Sequence, residues 1–194
     1  MLGDVLVLLR DELNAHLRQA APDGGADAQE DRVQLIDGGQ GEPIEFRANA
    51  VSVLLVNIEQ EPHLRNADPY LRDAADPGLR RLAPEIRLNL YLLFVARFKA
   101  YERGLNLLAL VLRYFQTHRA LDRASHPALP AEVDKLVCEL VTLPLAEQNE
   151  IWSALRIHYH PSLLYRVRMV VLRDAEGAAV PPIGQTVVRA RQRT

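Results

Sequence analysis

The chain has 194 residues, 48% of them apolar and 25% charged, with a net charge of −2; that is enough for one domain with a sizeable core and marginal for two. So small a net charge excludes a general electrostatic pull on nucleic acid or on a membrane surface. One cysteine, Cys138, excludes an internal disulfide and fits a reducing compartment, and with no basic leader at Met1–Asp4 and no apolar run near the roughly 18 residues of a membrane helix the expectation is a soluble, cytoplasmically made protein.

Leu2, Val5, Leu6, Leu9, Leu13 and Leu17 recur at spacings of three and four and predict an amphipathic helix over 2–20. Pro22 and Asp23-Gly24-Gly25 end it and open a loop over 21–31. A short strand at Val33–Ile36 follows, and the turn signal Asp37-Gly38-Gly39 predicts a hairpin partner around Ile44–Arg47. Residues 51–60 read as a central strand, apolar on both faces at Leu55 and Val56. The segment 61–84 holds Pro62, Pro69, Pro77, Gly78 and Pro84 and reads as an irregular arm or docking loop.

Residues 85–98 alternate strictly. Ile86, Leu88, Leu90, Leu92, Phe94, Ala96 and Phe98 share one face, and Arg87, Asn89, Tyr91, Leu93, Val95 and Arg97 the other; so long a period of two predicts a core strand. A tight connection at Lys99-Ala100 leads to a helix over 101–118 with a broad stripe of Leu105, Leu108, Leu112 and Phe115, widened by Leu107, Leu110, Val111 and Tyr114. A loop over 119–131 is followed by a strand at 132–141. Pro144 suits the first turn of a helix presenting Leu145, Ile151, Trp152 and Leu155. Pro161 precedes a last core strand, 162–173, and beyond a turn at Glu176-Gly177 the stretch Thr186-Val187-Val188 has the character of an edge strand. The order predicts an α+β domain: a mixed or largely antiparallel sheet with helices on one face.

The charge is unevenly spread. Residues 1–85 carry 16 acids and 8 bases, a balance of −8; residues 156–194 carry 2 acids and 7 bases, a balance of +5. Either the fold averages these out, or they supply complementary surfaces on neighbouring subunits.

The search for chemistry finds no catalytic signature. His158 and His160 are spaced to chelate a metal from a strand, but lack an evident third ligand. Cys138 lies in a strand pattern and reads as a buried thiol. Glu42, Glu45, Glu59 and Glu61 read as solvated strand faces rather than an acid–base pair. The glycine pairs lack the strand–loop–helix setting of a phosphate loop. Arg166 and Arg168, with Arg173 beyond, form a charged strand face better suited to a subunit than to nucleic acid, because few aromatics interleave. Trp152 reads as a core anchor or an interface hot spot. Catalytic, cofactor-binding and metal residues are therefore expected to be none. The candidate interface residues are Arg166, Arg168, Trp152 and the tail arginines Arg189, Arg191 and Arg193.

Four stretches carry a family resemblance: the first helix, Met1–Leu17; Ile86–Phe94 continuing through Phe98-Lys99-Ala100-Tyr101-Glu102; the helix from Leu105-Asn106-Leu107-Leu108 to Tyr114-Phe115-Gln116; and Asn149–Leu155 leading to Pro161–Met169. In this order and spacing the chain resembles the tail-terminator-like cap family of phage-tail-like contractile injection systems. The resemblance implies a terminator fold over 1–180 with a short basic tail over 181–194. It implies a non-enzymatic bacterial subunit without cofactor, in a homo-oligomeric, hexameric ring that closes the distal end of an inner tube and its sheath. The implied partners are tube and sheath subunits, with no nucleic acid and no membrane insertion, in a particle that can leave the cell. An adaptor joining the particle to cargo or to an envelope component is the alternative reading.

Overall fold

The computed structural model describes residues 2–20, 31–36, 44–61, 70–72, 79–81, 86–131, 133–172 and 178–180. Among these residues three helices, α1 (Leu2–Ala20), α2 (Tyr101–Thr117) and α3 (Leu145–Leu155), accompany nine strands: β1 (Val33–Leu35), β2 (Ala50–Gln60), β3 (Tyr70–Arg72), β4 (Leu79–Arg81), β5 (Ile86–Arg97), β6 (Ala120–Asp122), β7 (Lys135–Val141), β8 (Ser162–Leu172) and β9 (Ala178–Val180). Six strands form the main sheet in the order β1-β2-β5-β8-β7-β6, and β3, β4 and β9 form a second, smaller one. Only β1 runs parallel to its neighbour; the other pairs in both sheets are antiparallel. The α+β architecture with a mixed, largely antiparallel sheet is thus the one the sequence implied.

The alternation of β5 decides the layers. Its even-numbered residues, Leu88 to Ala96, join Val5, Leu9, Leu13 and Leu17 of α1 and Leu108, Val111, Tyr114 and Phe115 of α2 in the larger core cluster. Its odd-numbered residues Leu93 and Val95 join Phe46, Trp152 and Leu164 in a second cluster on the opposite face. Helices therefore cover both faces, not one. The apolar half of the odd-numbered face needs a cover, and α3 with the segment around Phe46 supplies it.

Three local expectations change. The hairpin partner at 44–47 is not a strand; β1 pairs with Val51–Val53 in parallel instead. Asn14 of α1, 2% exposed, holds β1 in place: its Nδ2 donates to Val33 O and its Oδ1 accepts from Val33 N, both at 2.8 Å. The side-chain amide does for β1 what a neighbouring strand would. The segment 61–84 contains β3 and β4, so it is not wholly irregular. The loop expected over 119–131 begins with β6, the strand that pairs with Lys135–Val137. Of the apolar stripes, Leu105 of α2 and Leu145 of α3 lie at the surface, 42% and 84% exposed. The loop over 21–30, the turns at 37–39 and 176–177 and the strand at 186–188 lie outside the described residues.

Two irregularities tune the sheet. Asn49 takes a left-handed φ of 59° just before β2, a conformation asparagine tolerates better than most residues. Register shifts fall at Leu55–Asn57 on β2 and opposite Leu88–Leu90 of β5, and such bulges bend and twist strands locally.

Candidate subunit interface

The half of the odd-numbered sheet face left open by α3 carries a polar row. Register places Tyr91 opposite Arg166, Arg166 opposite Glu139, and Glu59 opposite Asn89. Glu139 is the hub. Its Oε2 lies 2.8 Å from Arg166 Nη2 and 3.6 Å from Arg168 Nη1, and its Oε1 lies 3.3 Å from Arg119 Nη2. Arg168 also reaches Glu61 at 3.7 Å, Asn89 donates to Glu61 at 3.1 Å, and the Tyr91 hydroxyl donates to Glu59 at 2.7 Å.

The charges hold one another. The Arg166 hydrogen bond keeps the Glu139 carboxyl below its ordinary range, against the opposing effect of burial, and Glu139 in turn raises Arg166. Burial first, then the Glu59 hydrogen bond, raises the Tyr91 hydroxyl. Arg166 and Arg168 therefore share one strand face, as the sequence put them, but half-buried and in a network with carboxylates rather than as bare cations. Arg189, Arg191 and Arg193 lie outside the described residues.

Trp152 is 5% exposed and anchors the smaller cluster. Its ring meets Phe46 at 6.0 Å, Tyr159 at 5.5 Å and His160 at 6.2 Å. Its Nε1 is buried without a hydrogen-bond partner. It also forms a wall of a 230 Å³ pocket with Leu140, Val141, Leu143, Gln148 and Ile151. Next to it, toward the C-terminal end of α3, an open groove of about 470 Å³ is lined by Ile44, Leu54, Val56, Tyr91, Leu155 and Leu164. Exposed Leu140, Leu145, Tyr101 and Tyr159 add apolar surface.

The chemical candidates fare differently. His160 packs edge-on against Phe46 at 5.9 Å, and burial followed by Arg97 and His158 lowers its pKa. Among the described residues no three His, Cys, Asp or Glu side chains stand close enough to hold a metal ion. Burial pushes the Cys138 thiol up to about 12, so it is not poised as a thiolate nucleophile. Glu45 pairs with Arg97 at 3.0 Å, while Glu59 and Glu61 serve the polar row.

Sequence reasoning missed Glu139 as the hub. The signal was present: it sits between Cys138 and Leu140, at an outward position opposite Arg166. It also missed an aromatic group between α1 and α2, where Tyr114 stacks on His118 at 4.6 Å and approaches His16 at 5.3 Å. The i, i+4 spacing of Tyr114 and His118 was its only sequence trace.

What these features define is an α+β sheet-and-helix unit whose described surface offers a charged row and apolar recesses. The sequence profile described as the Pvc16 N-terminal domain matches residues 4–185, and the chain belongs to that family. Two solved structures share the fold. One is the PVC sheath/tube terminator of an extracellular contractile injection system in its extended state, 17% identical with a TM-score of 0.62, where the match covers 100% of this chain and 64% of that one. The other is the anti-feeding prophage cap, a tube-terminating cap, 17% identical with a TM-score of 0.50, covering 73% of this chain and 49% of that one. The chain thus spans less than two thirds of the length of either. No curated protein matches it. No described helix is long and apolar enough to cross a membrane.

Proposed function

We propose that the chain is a structural cap or terminator subunit, closing the distal end of the inner tube and sheath of a phage-tail-like contractile injection particle. The observation that carries this is the match of the whole chain to the fold of a sheath/tube terminator, on a chain whose family is the Pvc16 N-terminal domain. The reading includes a homo-oligomeric, hexameric ring, contacts with tube and sheath subunits, and no enzymatic activity. A ring requires two different, mutually complementary patches on each subunit. The apolar recesses beside α3 and Trp152 offer contact area, and the paired charges around Glu139, with Arg166 and Arg168, can set its register. The division into a domain over 1–180 and a basic tail over 181–194 belongs to the same reading, with the tail serving contacts between subunits.

The test is deletion of the gene from its host, followed by electron microscopy of the particles. Overlong, sheathless or absent particles, restored by complementation, are expected. Particles of normal number and length would overturn the reading and favour an adaptor that binds cargo or envelope.

A further inference from the structure

Three histidines from three different segments meet around one tyrosine. Tyr114 of α2 is buried, in the core cluster where Leu13 and Leu17 of α1 join Val111 and Phe115 of α2. The His118 ring, just past the end of α2, stacks on it at 4.6 Å. The His16 ring of α1 meets it at 5.3 Å. His126, in the loop after β6, stands edge-on to His118 at 6.5 Å. The His118 Nδ1 lies 3.1 Å from Tyr114 O, a carbonyl that can only accept, so the proton of that ring sits on Nδ1.

The groups around His16 leave a positive charge there without support. From α2 come Arg113 and His118, and both act against it. From β7 comes Cys138 beside Tyr114, a neutral thiol. Glu12, one turn earlier on α1, is the carboxylate of the group, and it is committed elsewhere. Its Oε2 accepts from the Tyr114 hydroxyl at 3.4 Å and lies 3.7 Å from His126 Nε2. His16 Nε2 is buried and has no hydrogen-bond partner among the described residues. In a neutral ring that atom can be a bare acceptor. In a charged ring both nitrogens carry protons, so a buried N–H would face no acceptor, which costs more. Acid makes the setting worse. A charged His126 draws Glu12 toward itself, and a charged His118, favoured at a helix C-terminus, adds a like charge close to His16.

We infer that His16 is a proton-operated latch of the seam between α1 and α2, closed while the ring is neutral and released when acid charges it. The latch holds more than the helix. Asn14, two residues earlier, makes the two bonds that fasten β1 at Val33, so release of this stretch of α1 loosens the edge strand with it. Burial first, then His118 and Arg113, lowers the His16 pKa. A histidine lowered on folding contributes stability that is full above its unfolded value of about 6.5 and is lost as pH falls from there through the folded value. The latch therefore works in mild acid, before the carboxylates titrate.

Hydrogen exchange of the full chain, read by mass spectrometry at pH 7.5 and 5.5 and corrected for the intrinsic rate at each pH, tests this. Peptides within 11–20 and 31–36 are expected to open about three- to tenfold more readily at the lower pH, while peptides of β5 and β8 change little. His16→Gln and His16→Phe, the second keeping a ring against Tyr114, are each expected to abolish that acid step, with circular dichroism checking each fold. No step in the unaltered chain, or an equal step in both variants, overturns the latch. So does a step of equal size across β5 and β8, which is general acid destabilisation. If neither variant folds, the assigned His16 ring resonance of the unaltered chain decides: titration below about 6.5 supports the latch, and titration at or above that value overturns it.

Discussion

Replacing Asn14 by leucine removes both hydrogen bonds that tie β1 to α1 while roughly keeping the side-chain volume. Val33 is 0% exposed, so its N–H and C=O lose their partners without gaining water. Each stranded buried group costs about 1–3 kcal/mol. Part of this is recovered by burying a more apolar side chain and by small shifts of β1, which is held on its other side only by Val51–Val53. A net loss of about 2–4 kcal/mol is expected, or a fall in Tm of roughly 5–15 °C for a chain of this size. Urea unfolding followed by the fluorescence of Trp152, the sole tryptophan, measures it. That probe sits in the cluster on the opposite sheet face, so agreement with circular dichroism also tests whether the two faces unfold together. A loss below about 1 kcal/mol would show that the amide pair is not what secures the strand.

Two further outcomes follow from the titrating groups. Glu139 has a folded pKa below its unfolded value, so its contribution is fully present above the unfolded value of about 4.3 and is lost as pH falls through the lowered folded value. Glu139→Gln is expected to remove about 1–2 kcal/mol at neutral pH and low salt, less at high salt, and to flatten the acid limb of the stability profile. An unchanged acid limb would contradict the hub assignment. Cys138, buried and with its thiol raised to about 12, is expected to react with a disulfide reagent far more slowly in native protein than in urea; equal rates would place it in an open environment.

The sequence made the long elements visible because one force dominates each. In β5 and β8 the alternation of apolar and polar residues follows from facing two different environments, and in α1 and α2 the three–four spacing follows from facing one core. What it hid depended on contacts distant in the chain. Nothing near Asp37-Gly38-Gly39 shows that Asn14, nineteen residues before Val33, will supply the bonds a hairpin partner was expected to make. The exposed Leu145 and Leu105 obey helical spacing yet lie beyond the area their helices cover, because periodicity gives a direction and not the extent of the opposing surface.

The interface candidates divide the same way. Arg166 and Arg168 were legible as an outward arginine row because a strand exposes alternate residues. Their meaning was not, because it depends on Glu139 arriving from β7 and Glu61 from the end of β2. Once those carboxylates are counted, the row is nearly self-neutralised, and a partner gains little Coulomb energy from it while having to break bonds already made. The apolar walls of the recesses beside α3 carry the opposite balance: covering them removes apolar surface from water without breaking an ion pair. A subunit contact on this face is therefore expected to draw its free energy from that apolar surface more than from the arginines of β8, whose charges are already paired with Glu139 and Glu61.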